Sequence, residues 1–295
     1  MKTNIYDQIT EKVVAQLENG IIPWQKPWQN AAKGADVAIS HETGKPYSEL
    51  NQMLLGWRAG EWLTWKQVHA EGGRIKNGAK AEQVVFWSRV NKIGKEAICD
   101  ENGDEIGIRD VITGSYMVLK GYPVFHISDT EGIEPKWNNE ARKNEADPIG
   151  EAEVVAMNYI EREKINFECT QSNEAWYSAS IDKVHVPVRE QYAVNEEYYS
   201  TLFHELTHST GHASRLGRKE VGTSFFGSEN YSKEELVAEM GAAFLCNAVG
   251  IDSQKAFRNS VAYIQSWLRA LKNDKRMIAM AATKAEKACK YILNK

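Results

Sequence analysis

No apolar run in the chain approaches the roughly 18–20 residues that a membrane-spanning helix needs, which excludes a helical membrane protein. Cysteine is scarce. Cys99, Cys169, Cys246 and Cys289 are scattered without a CxxC pair, so neither a disulfide framework nor a cysteine metal knuckle is expected, and free thiols suit a reducing compartment. An excess of positive charge is also missing. The 36 Lys and Arg stand against 40 Asp and Glu, a net charge of −4, so any nucleic-acid contact must come from a local patch. Internal repeats and low-complexity tracts are absent. The opening "MKTNIYDQITEKVVAQLENG" is charged throughout and reads as an amphipathic helix rather than a signal peptide, so a cytoplasmic protein with no membrane partner is expected. What is present, 42% apolar and 26% charged residues over 295 positions, is enough for a soluble globular protein of two domains.

Tryptophan divides the chain. Trp24, Trp28, Trp57, Trp62, Trp65 and Trp87 precede residue 88, and Trp137, Trp176 and Trp267 follow. The stretch "GIEPKWNNEARKNEADPIG" is polar, contains two prolines and has no apolar period, so it reads as a linker. The expected division is residues 1–131, a linker at 132–150, and residues 151–295. The first unit should hold a helix at about 3–19, an extended "PWQKPW", and short helices in "GKPYSELNQMLLGWRAG" and "TWKQVHAEGG". Strands follow in "EQVVFWSRV" and "SYMVLKGYPVFHI", joined through a turn-rich "DENGDEIG". In the second unit a helix at 151–163 precedes one or two strands in "EAWYSASIDKVHVPV" and a helix over "NEEYYSTLFHELTHSTGH". "SKEELVAEMGAAFLCNAVG" should be helical from an N-cap at Ser232 to a glycine stop, and a long helical region should span 254–294. The fold class is α+β.

The segment "YYSTLFHELTHSTGHASRLGR" carries the chemistry. His204 and His208 are four residues apart, so on a helix both imidazoles point the same way and can share one ion. Glu205 is offset from His204 by about 100°, which sets its carboxylate beside the ion. Two nitrogen ligands and a base that takes a proton from metal-bound water make up a zinc hydrolase site. The long zinc-protease pattern fails, because Ser214 stands where a third histidine would be. His212 reads better as a helix-end residue. A carboxylate from the following helix is the other solution for the third ligand, and residues 234–243 offer it. There Glu235 and Glu239 share a face, and Ala238, Ala242 and Ala243 permit close approach. Tyr192, Tyr231 and Arg215 are candidates for stabilising a transition state, and "AWYSASIDKVHVPV" sits where an edge strand would hold an extended substrate.

The first unit has a different signal. Residues 60–95 contain seven cations (Lys66, Arg74, Lys76, Lys80, Arg89, Lys92 and Lys95) against Glu61, Glu71 and Glu82, interleaved with Trp62, Trp65, Phe86 and Trp87. Cations that track phosphates and rings that stack on bases suit single-stranded nucleic acid. Lys66, Arg74, Lys76 and Lys80 are the first candidates for phosphate contact. Trp24 and Trp28 are candidate stacking rings, or else a rigid strap whose rings fill the core.

Two resemblances sharpen this reading. "EELVAEM" is similar to the gluzincin pattern E-x-x-A-[DE], which implies Glu235 as ligand and Glu239 as the residue orienting a ligand histidine. Glu239 as the ligand is the alternative, and Glu234 is a poor one. "ENGIIPWQKPWQ", "GKPYSELNQMLLGW", "WLTWKQVHAEGGRIKNGAKAEQVVFW" and "LKGYPVFHI" resemble the N-terminal domain of the ArdC antirestriction proteins of conjugative plasmids; TraC-type plasmid primases carry a similar domain. The run from "YYSTLFHELTH" to "AATKAEKA" resembles the metallopeptidase domain of the same family. His126 departs from the asparagine that such proteins tend to have there. The resemblance implies a single-stranded-DNA-binding domain followed by a zincin-like, gluzincin-type domain holding Zn2+, with Mn2+ or another divalent ion as substitutes. It also implies protection of incoming plasmid DNA from host restriction; a host protein is a candidate peptidase substrate, which the sequence itself does not identify. The competing readings are a DNA-binding module whose metal site is only structural, and an intracellular metalloprotease without a DNA role.

Overall fold

The computed structural model describes residues 4–26, 37–99, 105–137, 147–221, 229–252 and 261–295. Helix α1 (Ile5–Glu18) starts where Asn4 accepts a hydrogen bond from the Tyr6 amide and buries Ile9, Val13 and Leu17, one residue per turn. Strands β1 (Ala38–Ser40) and β2 (Gly60–Thr64) flank α2 (Glu49–Leu54), and α3 (Trp65–Ala70) follows β2 directly through a Thr64–Gln67 capping box. After the two-residue strand β3 (Arg74–Ile75) the chain runs into β4 (Glu82–Cys99) and β5 (Glu105–His126). These pair antiparallel along their length, with β5 also against β2, in a four-stranded sheet of order β1-β2-β5-β4. A short β6 (Thr130–Glu131) pairs with β3. His126 contacts the Ala59 carbonyl at 2.9 Å through Nε2, while Nδ1 accepts from the Ser128 amide. It thereby caps the short turn Ile127–Asp129, as an asparagine would.

Both strands of the β4–β5 ribbon are longer than their apolar segments implied, and the "DENGDEIG" connection falls largely on residues 100–104, outside the described residues. In the second unit α4 (Pro148–Glu163) begins three residues earlier than expected, because Asp147 caps it and Pro148 takes its first turn. Strands β7 (Asn166–Thr170), β8 (Trp176–Ser178) and β9 (Lys183–Pro187) form a sheet of order β7-β9-β8, which puts β8 on an edge. Strand β7 was not foreseen from the sequence. Helix α5 (Asn195–Ser209) precedes α6 (Glu229–Val249), followed by α7 (Val261–Asn273) and α8 (Met277–Ile292). Two expectations are corrected here. Ser232 lies inside α6, which already runs through Glu229, so it is not the N-cap. The long C-terminal helical region breaks after Asn273, and α8 restarts at Met277.

The two domains meet over a continuous apolar core. Ile9, Val13, Leu17, Trp24, Leu50 and Met53 pack in one cluster with Tyr159, Phe203, Phe244, Leu271 and Ile278. Trp24 meets the ring of Trp267 edge-on at 5.0 Å. The Trp87 indole donates to Thr283 on α8 at 3.2 Å, and the Thr10 hydroxyl donates to the Lys275 carbonyl at 2.8 Å. The helix that carries His204 therefore rests on a core to which both ends of the chain contribute.

Candidate metal centre and nucleic-acid surface

Helix α5 is amphipathic in an unusual sense. Tyr198, Tyr199, Leu202, Phe203 and Leu206 are buried against the core, and the histidine face turns toward α6. Glu196 and Glu197 lie in its first turn, where the backbone dipole favours negative charge. Helix α6 comes close because Gly241 faces Thr207. A β-carbon built at Gly241 would stand 2.5 Å from the Thr207 methyl group. Gly241, rather than the alanines alone, is the contact that allows this approach, although Ala238, Ala242 and Ala243 are all fully buried beside it.

That approach brings three donors together. The Nε2 atoms of His204 and His208 are 3.1 Å apart. Glu235 reaches both, its carboxylate oxygens lying 3.5 Å from His204 Nε2 and 3.4 Å from His208 Nε2. Zinc bonds of about 2.0–2.2 Å in tetrahedral array separate neighbouring donors by about 3.4 Å, so the residues fit one divalent ion. Glu239 faces the other nitrogen of His204, at 3.9 Å from Nδ1. It does not reach the shared space between the two Nε2 atoms.

Each histidine's orientation has a visible cause. His208 Nδ1 lies 3.2 Å from Glu234, which leaves Nε2 for the ion. Glu234 is itself held by Arg218, whose Nη2 donates to it at 2.7 Å and whose Nε donates at 3.0 Å. Arg218 also donates to the Thr210 hydroxyl and the Thr207 carbonyl, at 2.6 and 2.7 Å. Both members of this ion pair are buried, with side chains 5% and 7% exposed. Burial pushes the Glu234 carboxyl up, but hydrogen bonds from His208 and Arg218 outweigh it and hold the group below its ordinary value. For His208 burial acts downward, and the bonds to Glu234 and Glu235 reverse that, raising it to about 10. Glu235 lies below its usual range because the two histidines overcome its desolvation. No motif in the sequence points to Arg218, which arrives on the loop after α5, and Glu234, a poor ligand by its position in the sequence, lies behind His208 instead. Its place behind His208 is the kind of role that the resemblance to the gluzincin pattern implies for Glu239.

Glu205 differs from these acids. It is 7% exposed, and its carboxylate makes no hydrogen bond or ion pair among the described residues. Burial raises its pKa, with His204 and His208 pulling the other way. Of the candidate transition-state stabilisers, Arg215 is excluded. Its side chain is 1% exposed and committed to Asp182, to the Ser209 carbonyl at 2.7 Å and to the Tyr177 hydroxyl at 3.3 Å. It ties the β8–β9 turn to the end of α5. Tyr192 is half-buried and packs edge-on against Tyr198; burial chiefly, and Glu205 in part, raise its hydroxyl pKa. Tyr231 lies near the start of α6. His212 is hydrogen-bonded to Ser214 at 2.7 Å, past the end of the helix. Edge strand β8 and its neighbour β9 both pack against α5.

The candidate DNA contacts are scattered. Lys66 on α3 and Lys80 after β3 are exposed without ion pairs among the described residues. Arg74 is bonded to Glu131 at 2.6 Å, and Lys76 donates to the Ser128 carbonyl at 2.8 Å. Trp24 requires a correction. It is fully buried, so its ring fills the core and cannot stack on a base. Trp28 lies outside the described residues. No helix among the described residues is long and apolar enough to cross a membrane.

Comparison with known proteins identifies the family of each half of the chain. Residues 3–125 match the family described as the N-terminal domain of anti-restriction factor ArdC, and residues 155–284 match the zincin-like metallopeptidases. The chain is similar to two crystal structures of the antirestriction protein ArdC from plasmid R388. The metal-free one is 31% identical, with a TM-score of 0.67 over 98% of this chain and 97% of that one. The Mn(II)-bound one is 31% identical, with a TM-score of 0.69 over 99% and 98%. DNA primase TraC of Escherichia coli is 30% identical over 305 residues, which cover 99% of this chain and 27% of that protein. The chain thus spans about a quarter of TraC. The uncharacterized protein y4eC of Sinorhizobium fredii is 27% identical over 98% of this chain and 92% of its own length.

Proposed function

Since this chain belongs to the ArdC antirestriction family, we propose that it protects incoming plasmid DNA in the cytoplasm, by binding single strands and by cleaving a host protein at a zinc centre. The observation that carries the catalytic half is the set of donors on His204, His208 and Glu235, spaced 3.1–3.5 Å apart beside an unpartnered Glu205. Two imidazoles and a carboxylate suit zinc, with manganese or another divalent ion able to replace it. Held by His204, His208 and Glu235, a divalent ion would supply Lewis-acid chemistry, polarising a substrate carbonyl and making water a better nucleophile. Glu205 takes the proton of the attacking water and returns it to the leaving amine. Glu234 and Arg218 hold His208 in the tautomer that presents Nε2, and Glu239 stands behind His204. The substrate chain lies extended along the edge of β8, supplying the strand that this edge lacks. Tyr192 is the candidate for stabilising the developing oxyanion.

The DNA half rests on the N-terminal domain and its exposed cations, with Lys66 and Lys80 the freest of the four. Arg74 and Lys76 would exchange an internal contact for a phosphate. The test of the metal reading is elemental analysis of the purified full chain after zinc loading. The wild type should retain one equivalent and His208→Ala should retain almost none. Full occupancy of His208→Ala would sink the site.

A further inference from the structure

The β4–β5 ribbon presents two unlike faces. Odd-numbered residues of β4 point toward the helices at its base: Val85 and Leu119 are buried, Trp87 bonds to α8, and a β-carbon at Gly121 would strike Ile5. The opposite face opens outward beyond Val84. There the cross-strand pairs are Val84 with Tyr122, Phe86 with Lys120, Val90 with Tyr116, and Lys92 with Gly114. Phe86, Tyr122 and Tyr116 are 47%, 40% and 48% exposed, a degree of exposure that core aromatics do not have. Phe86 and Tyr122 meet edge to face at 5.9 Å, and Lys92 Nζ stands 6.0 Å from the centre of the Tyr116 ring.

Charge completes the pattern. Residues 84–95 and 111–124 include Arg89, Lys92, Lys95 and Lys120 and not a single Asp or Glu. On the open face, neither Lys92 nor Lys120 has an ion pair among the described residues. An exposed sheet face that carries Tyr122, Phe86 and Tyr116 along its length, with Lys120 among them and Lys92 beside the last, is complementary to unstacked bases joined by phosphates, and poorly complementary to an apolar protein surface. From Val84 to Lys92 the face extends about 27 Å at roughly 3.4 Å per residue, room for the shortest site of such platforms, about four nucleotides.

We infer that single-stranded DNA lies along this face of the β4–β5 ribbon, its bases on Phe86, Tyr122 and Tyr116 and its phosphates at Lys120 and Lys92. The inference rests on the reading of the N-terminal domain as a DNA-binding domain and gives that domain its stacking surface. It replaces the buried Trp24 as the source of rings. Lys66 and Lys80 then extend the electrostatic track rather than form it.

The test uses the full chain and a labelled thymidine oligonucleotide of about 20 residues, read by fluorescence anisotropy across a salt series. Phe86→Ala combined with Tyr116→Ala should weaken binding at least about 30-fold, the effect of losing two stacked bases. Lys92→Glu combined with Lys120→Glu should reduce the slope of log affinity against log salt by about 1.4, since each phosphate contact on a single strand counts about 0.7. Crosslinking with a 5-bromodeoxyuridine oligonucleotide, independent of any variant's folding, should attach DNA to peptides containing Phe86, Tyr116 or Tyr122. If the wild type binds no single strands, the DNA reading itself fails. If the wild type binds but the ring variant binds equally well, or crosslinks map only outside the ribbon, the placement is overturned.

Discussion

Glu205→Gln should leave the bound cation in place and lower hydrolysis of an unfolded protein substrate by about 10²–10⁴-fold, the usual contribution of a positioned general base. The amide has nearly the shape of the carboxylate but cannot accept a proton from water. The surrounding structure has no reason to rearrange, because the Glu205 carboxylate carries no hydrogen bond or ion pair that the substitution would break. The other three acids behave differently. Glu234 and Glu235 are tied to the histidines, and Glu239 faces His204 from behind. The measurement pairs turnover with metal content on the same sample. Unchanged turnover with the metal verified would remove Glu205 from the mechanism.

Arg218→Ala should cost about 3–5 kcal/mol of stability, because it strands the Glu234 charge in a site that is 5% exposed. The pair is also the anchor of His208, so zinc affinity should fall by about 10–100-fold, the range typical for loss of a group that orients a ligand. The two effects separate in the double variant Arg218→Met with Glu234→Gln. Removing both charges should restore most of the stability, while zinc binding stays weaker, since a neutral amide holds the imidazole less firmly than a carboxylate. Chemical denaturation of metal-free protein and calorimetric zinc titration read the two quantities. Zinc affinity in Arg218→Ala equal to the wild type would show that this pair only holds the fold.

These residues mark where the sequence is legible and where it is not. His204, Glu205 and His208 were readable because helical spacing alone sets their relative directions. Glu235 was reachable by pattern, but its distance from the histidines depends on how closely two helices approach, which Gly241 against Thr207 decides. Arg218 was invisible. It enters on a loop whose return path runs past Gly211, where a β-carbon would stand 3.0 Å from the Arg218 guanidinium. Trp24 shows a different limit. Residue type leaves a tryptophan free to stack on DNA or to fill a core, and only its contact with Trp267, far along the chain, decides. The ribbon is legible as two strands only over its proximal half. Its distal half is exposed on both faces and so lacks the alternation of apolar and polar residues that marks a half-buried strand.

The central claim is that His204, His208 and Glu235 hold one divalent ion. Calorimetric titration of zinc into metal-free wild type, Glu235→Ala and Glu239→Ala tests it most directly. The wild type should bind one equivalent. Glu235→Ala should weaken binding by more than the about 100-fold that losing an outer partner costs, and Glu239→Ala by no more than that. The reverse order, or a wild type that takes up no zinc, would contradict the account.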